Sequence, residues 1–195
     1  MGPITLKNGK QIKPSYTKFL ADYGKTRDYD GIFDAQRGYI SKSFYNLSMD
    51  ERLDLFEIYL EYFFRQIYES YMTGDNKLGE PRVEETRICT EIRSSIEGSG
   101  YDFMFEYGRY AIGSGVREIY IAIVDDVDDY KGYRAAIGFT SEELCYNKKL
   151  ANSIRERMQL VFKSIVELNP EMAAWYMLQG INFIEDAYYE LGGNV

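Results

Sequence analysis

The residues in this sequence with the clearest potential for chemistry are four aspartates within five positions. They are Asp125, Asp126, Asp128 and Asp129, and Tyr130 follows directly. Carboxylate oxygens are the ligands that Mg²⁺ and Ca²⁺ prefer in proteins. The run does not form an EF-hand loop, because Tyr130 and Lys131 occupy the positions of an oxygen ligand and of the invariant glycine. We therefore expect a solvated, negatively charged turn between two strands that meets a basic partner, and no metal ligand.

Other catalytic arrangements are limited by the absence of histidine, the usual general base near neutral pH. Cys89 and Cys145 consequently lack the imidazole partner of a thiol hydrolase. Ser15 and Lys18 match the S-x-x-K pattern of serine acylases, but its companion motifs are missing. No glycine-rich phosphate-binding loop occurs either. We expect no cofactor and no catalytic residue. An enzyme that uses paired carboxylates or a metal remains an alternative hypothesis.

Tyrosine and glutamate are interleaved in the segment from Glu57 to Tyr62, and the chain has 19 tyrosines in all. Tyrosine offers a large, rigid contact area and a hydroxyl group that suits a hydrated interface. Carboxylates beside it complement arginine and lysine on a partner. We predict that the partner-binding residues include Glu57, Glu61 and Tyr62, together with Asp125, Asp126, Asp128, Asp129 and Tyr130.

The charge is distributed unevenly along the chain. Residues 1–27 hold six basic residues and one acidic residue, a net charge of +5, which leaves −13 on residues 28–195. We expect the lysines of this basic arm to be solvated, although the asymmetry also suits two different partners. Phosphate groups repel an acidic surface, so direct DNA binding by residues 28–195 is disfavoured.

Capping residues and apolar spacing predict three substantial helices. Ser48 and Glu51 form a capping box for a helix that runs to about Met72, and its aromatic residues extend well beyond one face. We expect this helix to be sandwiched between two surfaces or to form half of an interface. Thr140 begins a second helix that reaches residue 168. Pro170 begins a third, which we expect to continue through residue 180 to residue 191.

Alternating apolar residues predict a sheet of about four strands. Three strands are expected over residues 101–107, 119–123 and 133–139. The stretch 86–95 fits both helix and strand periods, and we interpret it as a strand because a meander follows. Short connections imply antiparallel pairing. At the N-terminus, Asn8-Gly9 predicts a small β-hairpin with a type I′ turn, followed by a short helix at 15–23 and an irregular loop at 24–47.

These elements predict the α+β class, with an antiparallel β-sheet of about four strands flanked by three substantial α-helices and a small N-terminal β-hairpin. The length suits one domain over residues 1–195, divided into the basic arm (1–27) and the acidic body (28–195). We expect neither a signal peptide nor a transmembrane segment, because the N-terminal residues lack an apolar stretch and no apolar run is long enough to cross a membrane. The two isolated cysteines favour a reducing, cytoplasmic compartment.

Composition and pattern together favour binding over catalysis. We expect a non-enzymatic, acidic protein-binding module or inhibitor, of the kind that viral or phage proteins direct against host nucleic-acid machinery. Its partner would be a basic, nucleic-acid-binding protein such as an RNA polymerase, a specificity factor, a nuclease or a restriction complex. The alternative is a self-assembling virion or scaffold protein that forms a homo-oligomer. The third hypothesis is a carboxylate- or metal-dependent enzyme.

Overall fold

The computed structural model describes residues 4–12, 47–74, 78–111, 115–125 and 133–194. Its elements, in chain order, are β1 (Ile4–Thr5), β2 (Gln11–Ile12), α1 (Met49–Thr73), β3 (Arg82–Glu85), β4 (Cys89–Ile96), β5 (Tyr101–Arg109), β6 (Val116–Asp125), β7 (Tyr133–Phe139), α2 (Ser141–Leu144), α3 (Lys148–Leu168), α4 (Pro170–Leu178) and α5 (Asn182–Glu190). The sequence predictions for residues 15–23 and for most of 24–47 fall outside the described residues. No helix among the described residues combines the length and the apolarity needed to cross a bilayer.

The α+β class and the antiparallel sheet are confirmed. The sheet has five strands in the order β3-β4-β5-β6-β7, and every neighbouring pair is antiparallel. The additional strand is the short edge strand β3. Its sequence, Arg-Val-Glu-Glu, contains one apolar residue, so it carries no alternating pattern from which a strand could be predicted. The ambiguous stretch is indeed largely strand, since β4 covers residues 89–96.

The helices pack on one face of the sheet through a core rich in phenylalanine. The ring of Phe63 on α1 lies 4.5 Å from that of Phe103 on β5. Phe64, also on α1, lies 5.8 Å from Phe105 on β5 and 5.3 Å from Phe162 on α3. Helix α1 is therefore sandwiched between the sheet and α3, which explains why apolar residues surround so much of its circumference.

The capping box of α1 forms as predicted. The side chain of Ser48 accepts a hydrogen bond from the backbone N–H of Glu51, and the Glu51 carboxylate accepts one from the backbone N–H of Ser48. The helix ends at Gly74, whose φ of 62° is in the left-handed region that favours glycine. The boundaries agree with the sequence prediction to within one residue.

The second and third predicted helices are each divided in two. Helix α2 ends at residue 144, and the side chain of Asn147 accepts a hydrogen bond from the backbone N–H of Leu150 to begin α3. The predicted helix from Pro170 through Gly180 is interrupted, because Gly180 has a φ of 80°. The backbone N–H of Ile181 then bonds back to the carbonyl of Tyr176, which closes α4 before α5 starts.

The N-terminal hairpin is confirmed, but its turn is not type I′. That turn needs a positive φ at both central residues. In the structure Gly9 has a φ of 84°, and no residue other than glycine has a positive φ among those described. The N–H of Gly9 donates to the carbonyl of Leu6, and the N–H of Leu6 donates to the carbonyl of Lys10. This pattern is a type I turn followed by a glycine bulge.

Candidate protein-binding surface

The first predicted binding residue, Glu57, is engaged within the molecule. Its carboxylate accepts hydrogen bonds from Lys7 of the hairpin at 2.7 Å and from Arg157 of α3 at 2.9 Å. Arg157 also bonds the buried Asp54, one turn earlier on α1. These contacts join the hairpin, α1 and α3, so Glu57 contributes to stability where it was expected to contact a partner. Its predicted role in binding is not tested by this geometry.

The hairpin places its cations on the acidic N-terminal half of α1. Lys10 and Asn8 both bond Glu51, each at 3.0 Å, and Leu6 is buried in the main core. The pKa of Glu51 is lowered to about 2, first by the backbone N–H of Ser48 and then by Lys10 and Asn8. The lysines at positions 7 and 10, which we expected to be only solvated, are thus paired with carboxylates of the same chain.

Three of the other predicted binding residues lie within the described residues. Glu61 forms an ion pair with Arg65 one turn later on α1, and both side chains are largely exposed. Tyr62 is half-buried with its ring edge-to-face on Tyr59, and burial, aided by the charge of Glu69, raises its pKa. Asp125 ends β6, where its backbone pairs with Tyr101. The remaining predicted positions, Asp126, Asp128, Asp129 and Tyr130, lie outside the described residues.

An apolar groove that sequence reasoning missed lies between the last three helices. It has a volume of about 560 Å³, and its walls include Val166 of α3, five residues of α4 (Pro170, Ala173, Ala174, Met177 and Leu178) and Tyr188 and Tyr189 of α5. We call this feature the C-terminal groove. Leu178 is 85% exposed at its rim, and Leu168, at the end of α3, is 81% exposed. Leucines this exposed at the edge of an apolar groove are typical of a binding surface.

The groove exists because α4 is apolar around its whole circumference, which the nine residues Pro-Glu-Met-Ala-Ala-Trp-Tyr-Met-Leu make evident. One side of the helix enters the core through Met172, Ala173 and Tyr176. Tyr176 is fully buried, and its hydroxyl donates to the backbone carbonyl of Phe64 at 2.6 Å. Burial raises its pKa well above the ordinary value. The opposite side, with Leu178, is left without a described neighbour to cover it.

The chain segment that forms most of the groove, residues 164–195, has only acidic charged side chains. From residue 164 to the C-terminus the chain has five carboxylates and no lysine or arginine. Glu190 is paired with Lys163 of α3 at 2.9 Å. Within the described residues, the other four form no ion pair; they are Glu167, Glu171, Glu185 and Asp186. None of α3, α4 and α5 has a basic residue in its last turn, so the negative ends of their dipoles are not compensated.

The second face of the sheet is also charged, but with both signs. Arg82 and Arg93 lie side by side on β3 and β4, and both contact the fully buried Asp102 of β5, at 2.5 and 3.6 Å. Arg93 also pairs with Glu91 at 2.8 Å. Because acids and bases neutralise each other here, this face has no preference for a partner of one sign. Across the described ranges, no group of three or more acidic or cysteine side chains could hold a metal ion.

Two signals in the sequence could have indicated the C-terminal groove. The absence of basic residues after Lys163 is visible from composition alone. An apolar helix of nine residues without a polar face is the other signal, but it becomes informative only once the break at Gly180 is known.

Neither cysteine, Cys89 or Cys145, is part of a disulfide. The sequence matches no protein-family model and no characterised protein, and the fold matches no solved structure.

Proposed function

We propose that this protein is an acidic protein-binding module whose C-terminal groove receives a basic partner protein. The observation that supports this most strongly is that exposed leucines occur together with an acidic segment that has no lysine or arginine. Burying a leucine contributes ~1.5–3 kcal/mol relative to leaving it in water. Leu168 and Leu178 therefore provide affinity to any partner that covers them. The carboxylates restrict that partner to a basic one, since like charges repel.

The partner class that we propose is a nucleic-acid-binding protein. Such proteins carry clusters of arginine and lysine that neutralise phosphates. A protein that covers a cluster of this kind with its own carboxylates prevents nucleic acid from reaching it, and would thereby act as an inhibitor. Direct contact of the groove with nucleic acid is disfavoured, because Glu185 in its lining and the acidic residues of the same segment would repel phosphates.

Affinity purification at two salt concentrations tests the proposal. The full chain and two variants, Leu178→Ser and Leu160→Ser, are recovered from cells that express them, and the co-eluting proteins are identified. Leu160 is the matched control because it is 58% exposed on α3 but does not line the groove. We expect one basic protein to elute with the wild type and with Leu160→Ser at low salt. High salt should release it, because salt screens exposed charges.

The same experiment can contradict the proposal in two ways. Recovery of no basic protein at low salt would remove the proposed function. Equal recovery by Leu178→Ser would place binding elsewhere on the molecule. Because Leu178 is mostly exposed, its substitution should leave the fold intact, which the melting temperature of the purified variant checks.

A further inference from the structure

We infer that the C-terminal groove binds one amphipathic α-helix of the partner, with apolar side chains along one face and arginine or lysine beside them. This inference rests on the proposed function and specifies the partner's structure. Amphipathic helices commonly bind by placing an apolar face in a hydrophobic groove. Three features of the groove select this occupant, namely its length, its aromatic and aliphatic walls, and its charge.

The length of the groove suits two to three helical turns. Helix α4 lines it along one side and contains nine residues, which at 1.5 Å per residue extend about 13 Å. A partner helix of similar length presents apolar residues at positions i, i+3 or i+4, and i+7 on one face. Three or four side chains of this kind would therefore lie in the groove.

The walls supply the contacts that such side chains need. Leu178 and Ala174 are exposed on α4, and Tyr189 is 46% exposed on α5 opposite them. Tyrosine is enriched among residues that dominate binding energy, because its ring is large and loses little rotamer freedom. Leu168 and Leu191, which are 81% and 42% exposed, lie outside the groove's lining. A small apolar ligand held inside the groove would leave both leucines in water, whereas a protein partner can cover them.

The charged residues lie where they can meet the polar flanks of a helix. Glu185 of α5 lines the groove itself. Glu171 is in the first turn of α4, and Glu167 is near the end of α3. None of these three is in an ion pair within the described residues. Arginine on the partner helix fits this role best, because its planar guanidinium can bind a carboxylate with two parallel hydrogen bonds.

A second copy of the chain fits the groove poorly. In a two-fold symmetric dimer the same surface meets itself. The segment after residue 163 would then bring five carboxylates against five, and on each side only Glu190 is paired, with Lys163, among the described residues. Like-charge contacts of this kind act against a partner even where apolar surfaces match. The groove thus favours a different, basic protein over self-association.

Isothermal titration calorimetry with a synthetic peptide tests the inference. The probe is a peptide of about 20 residues, because isolated helices shorter than ~12–15 residues are marginal in water, with leucines at helical spacing and arginines on both flanks. We expect saturable one-to-one binding to the full chain. Leu178→Ser should weaken it at least about tenfold, and Leu160→Ser should leave it unchanged. Glu185→Gln should weaken binding and its salt dependence, unlike Glu97→Gln, which removes an exposed charge in the β4–β5 turn.

A second peptide and the oligomeric state complete the test. The same composition with a central proline cannot form a continuous helix, so equal binding of that peptide would overturn the inference. Absence of binding, or a dimer of the free chain in sedimentation equilibrium that Leu178→Ser dissociates, would also overturn it. If the peptide fails but a basic protein still co-elutes in a Leu178-dependent manner, the proposed function stands and only the helical partner is wrong. If both fail, the groove has neither role.

Discussion

The described carboxylates of this protein fall into two groups, those that are paired with a basic side chain and those that are not. Asp54, Glu57 and Glu143 accept hydrogen bonds from arginine or lysine of the same chain. Glu185 and Asp186 have no ion-pair partner within the described residues. A carboxylate that already has an ion-pair partner gains little from a second basic group. A carboxylate without one can bind an arginine of a partner protein without breaking an existing hydrogen bond. Acidic composition alone does not distinguish these two groups.

A partly enclosed ion pair joins Arg52 to Glu143 and links α1 to α2. Arg52 donates to both carboxylate oxygens, at 2.7 and 2.9 Å, and also to the backbone carbonyl of Gly138. Its guanidinium lies 4.5 Å above the ring of Phe139. Burial raises the pKa of Glu143, but the hydrogen bonds from Arg52 and Thr140 outweigh burial and hold that pKa below its ordinary value.

We expect Arg52→Ala to lower the free energy of unfolding by about 3–5 kcal/mol, because removal of one partner leaves the other charge partly buried and uncompensated. Urea denaturation of the purified variant measures this loss. Arg65→Ala is the control, since Arg65 forms an exposed pair with Glu61 on the same helix and should cost less than about 1 kcal/mol. Equal effects of the two substitutions would show that the Arg52 pair has no special importance.

At the scale of elements, the basic hairpin β1–β2 acts as a counter-charge for α1. Glu51 has two functions there, since it caps α1 and accepts bonds from Lys10 and Asn8. The pKa of its carboxyl is about 2 in the folded protein and 4.5 ordinarily. A lowered folded pKa contributes stability above pH 4.5, and that contribution is lost as the pH falls toward 2.

We expect the wild type to be more stable than Glu51→Gln at neutral pH, and the difference to narrow steadily below pH 4.5. Lys10 and Asn8 bond Glu51 directly, so the substitution removes the charge that these two side chains contact. Chemical denaturation at a series of pH values measures the difference. A gap that stays constant from neutral to acidic pH would contradict the assigned role of Glu51.

The elements also show how far sequence reasoning extends. Capping residues and alternation predicted α1 and four strands correctly, because those signals are local. The break at Gly180 was missed because apolar residues continue on both sides of it, and only the positive φ of the glycine separates α4 from α5. Strand β3 has too few apolar residues to give a pattern, and its place depends on pairing with β4.

Sequence reasoning about the binding site uses patterns within one segment, whereas the ion pairs and the groove depend on contacts between distant segments. The prediction of Glu57 and Tyr62 rests on the alternation of acids and tyrosines along α1. The ion pairs of Glu57 come from Lys7 and Arg157, which are 50 and 100 residues away in sequence. The C-terminal groove likewise combines residues of three helices. The pairing of Glu57 on α1 and the formation of the C-terminal groove therefore cannot be read from the sequence of any one segment.

In the molecule as a whole, internal ion pairs neutralise much of the charge on some surfaces and leave the C-terminal helices acidic. The basic hairpin lies on α1, and the sheet's second face contains both signs. The C-terminal helices retain negative charge together with exposed leucines. A partner that needs both apolar contact and negative charge therefore finds them together at the C-terminal groove.

Hydrogen exchange of the full chain, with and without the basic protein that co-elutes with it, tests this account most directly. We expect binding to slow exchange in α4 and α5, which line the groove, and to leave the central strands β4, β5 and β6 unchanged. Protection confined to the α1 segment around Glu61 and Tyr62, or to residues 125–130, would contradict the account and support the surface predicted from sequence alone.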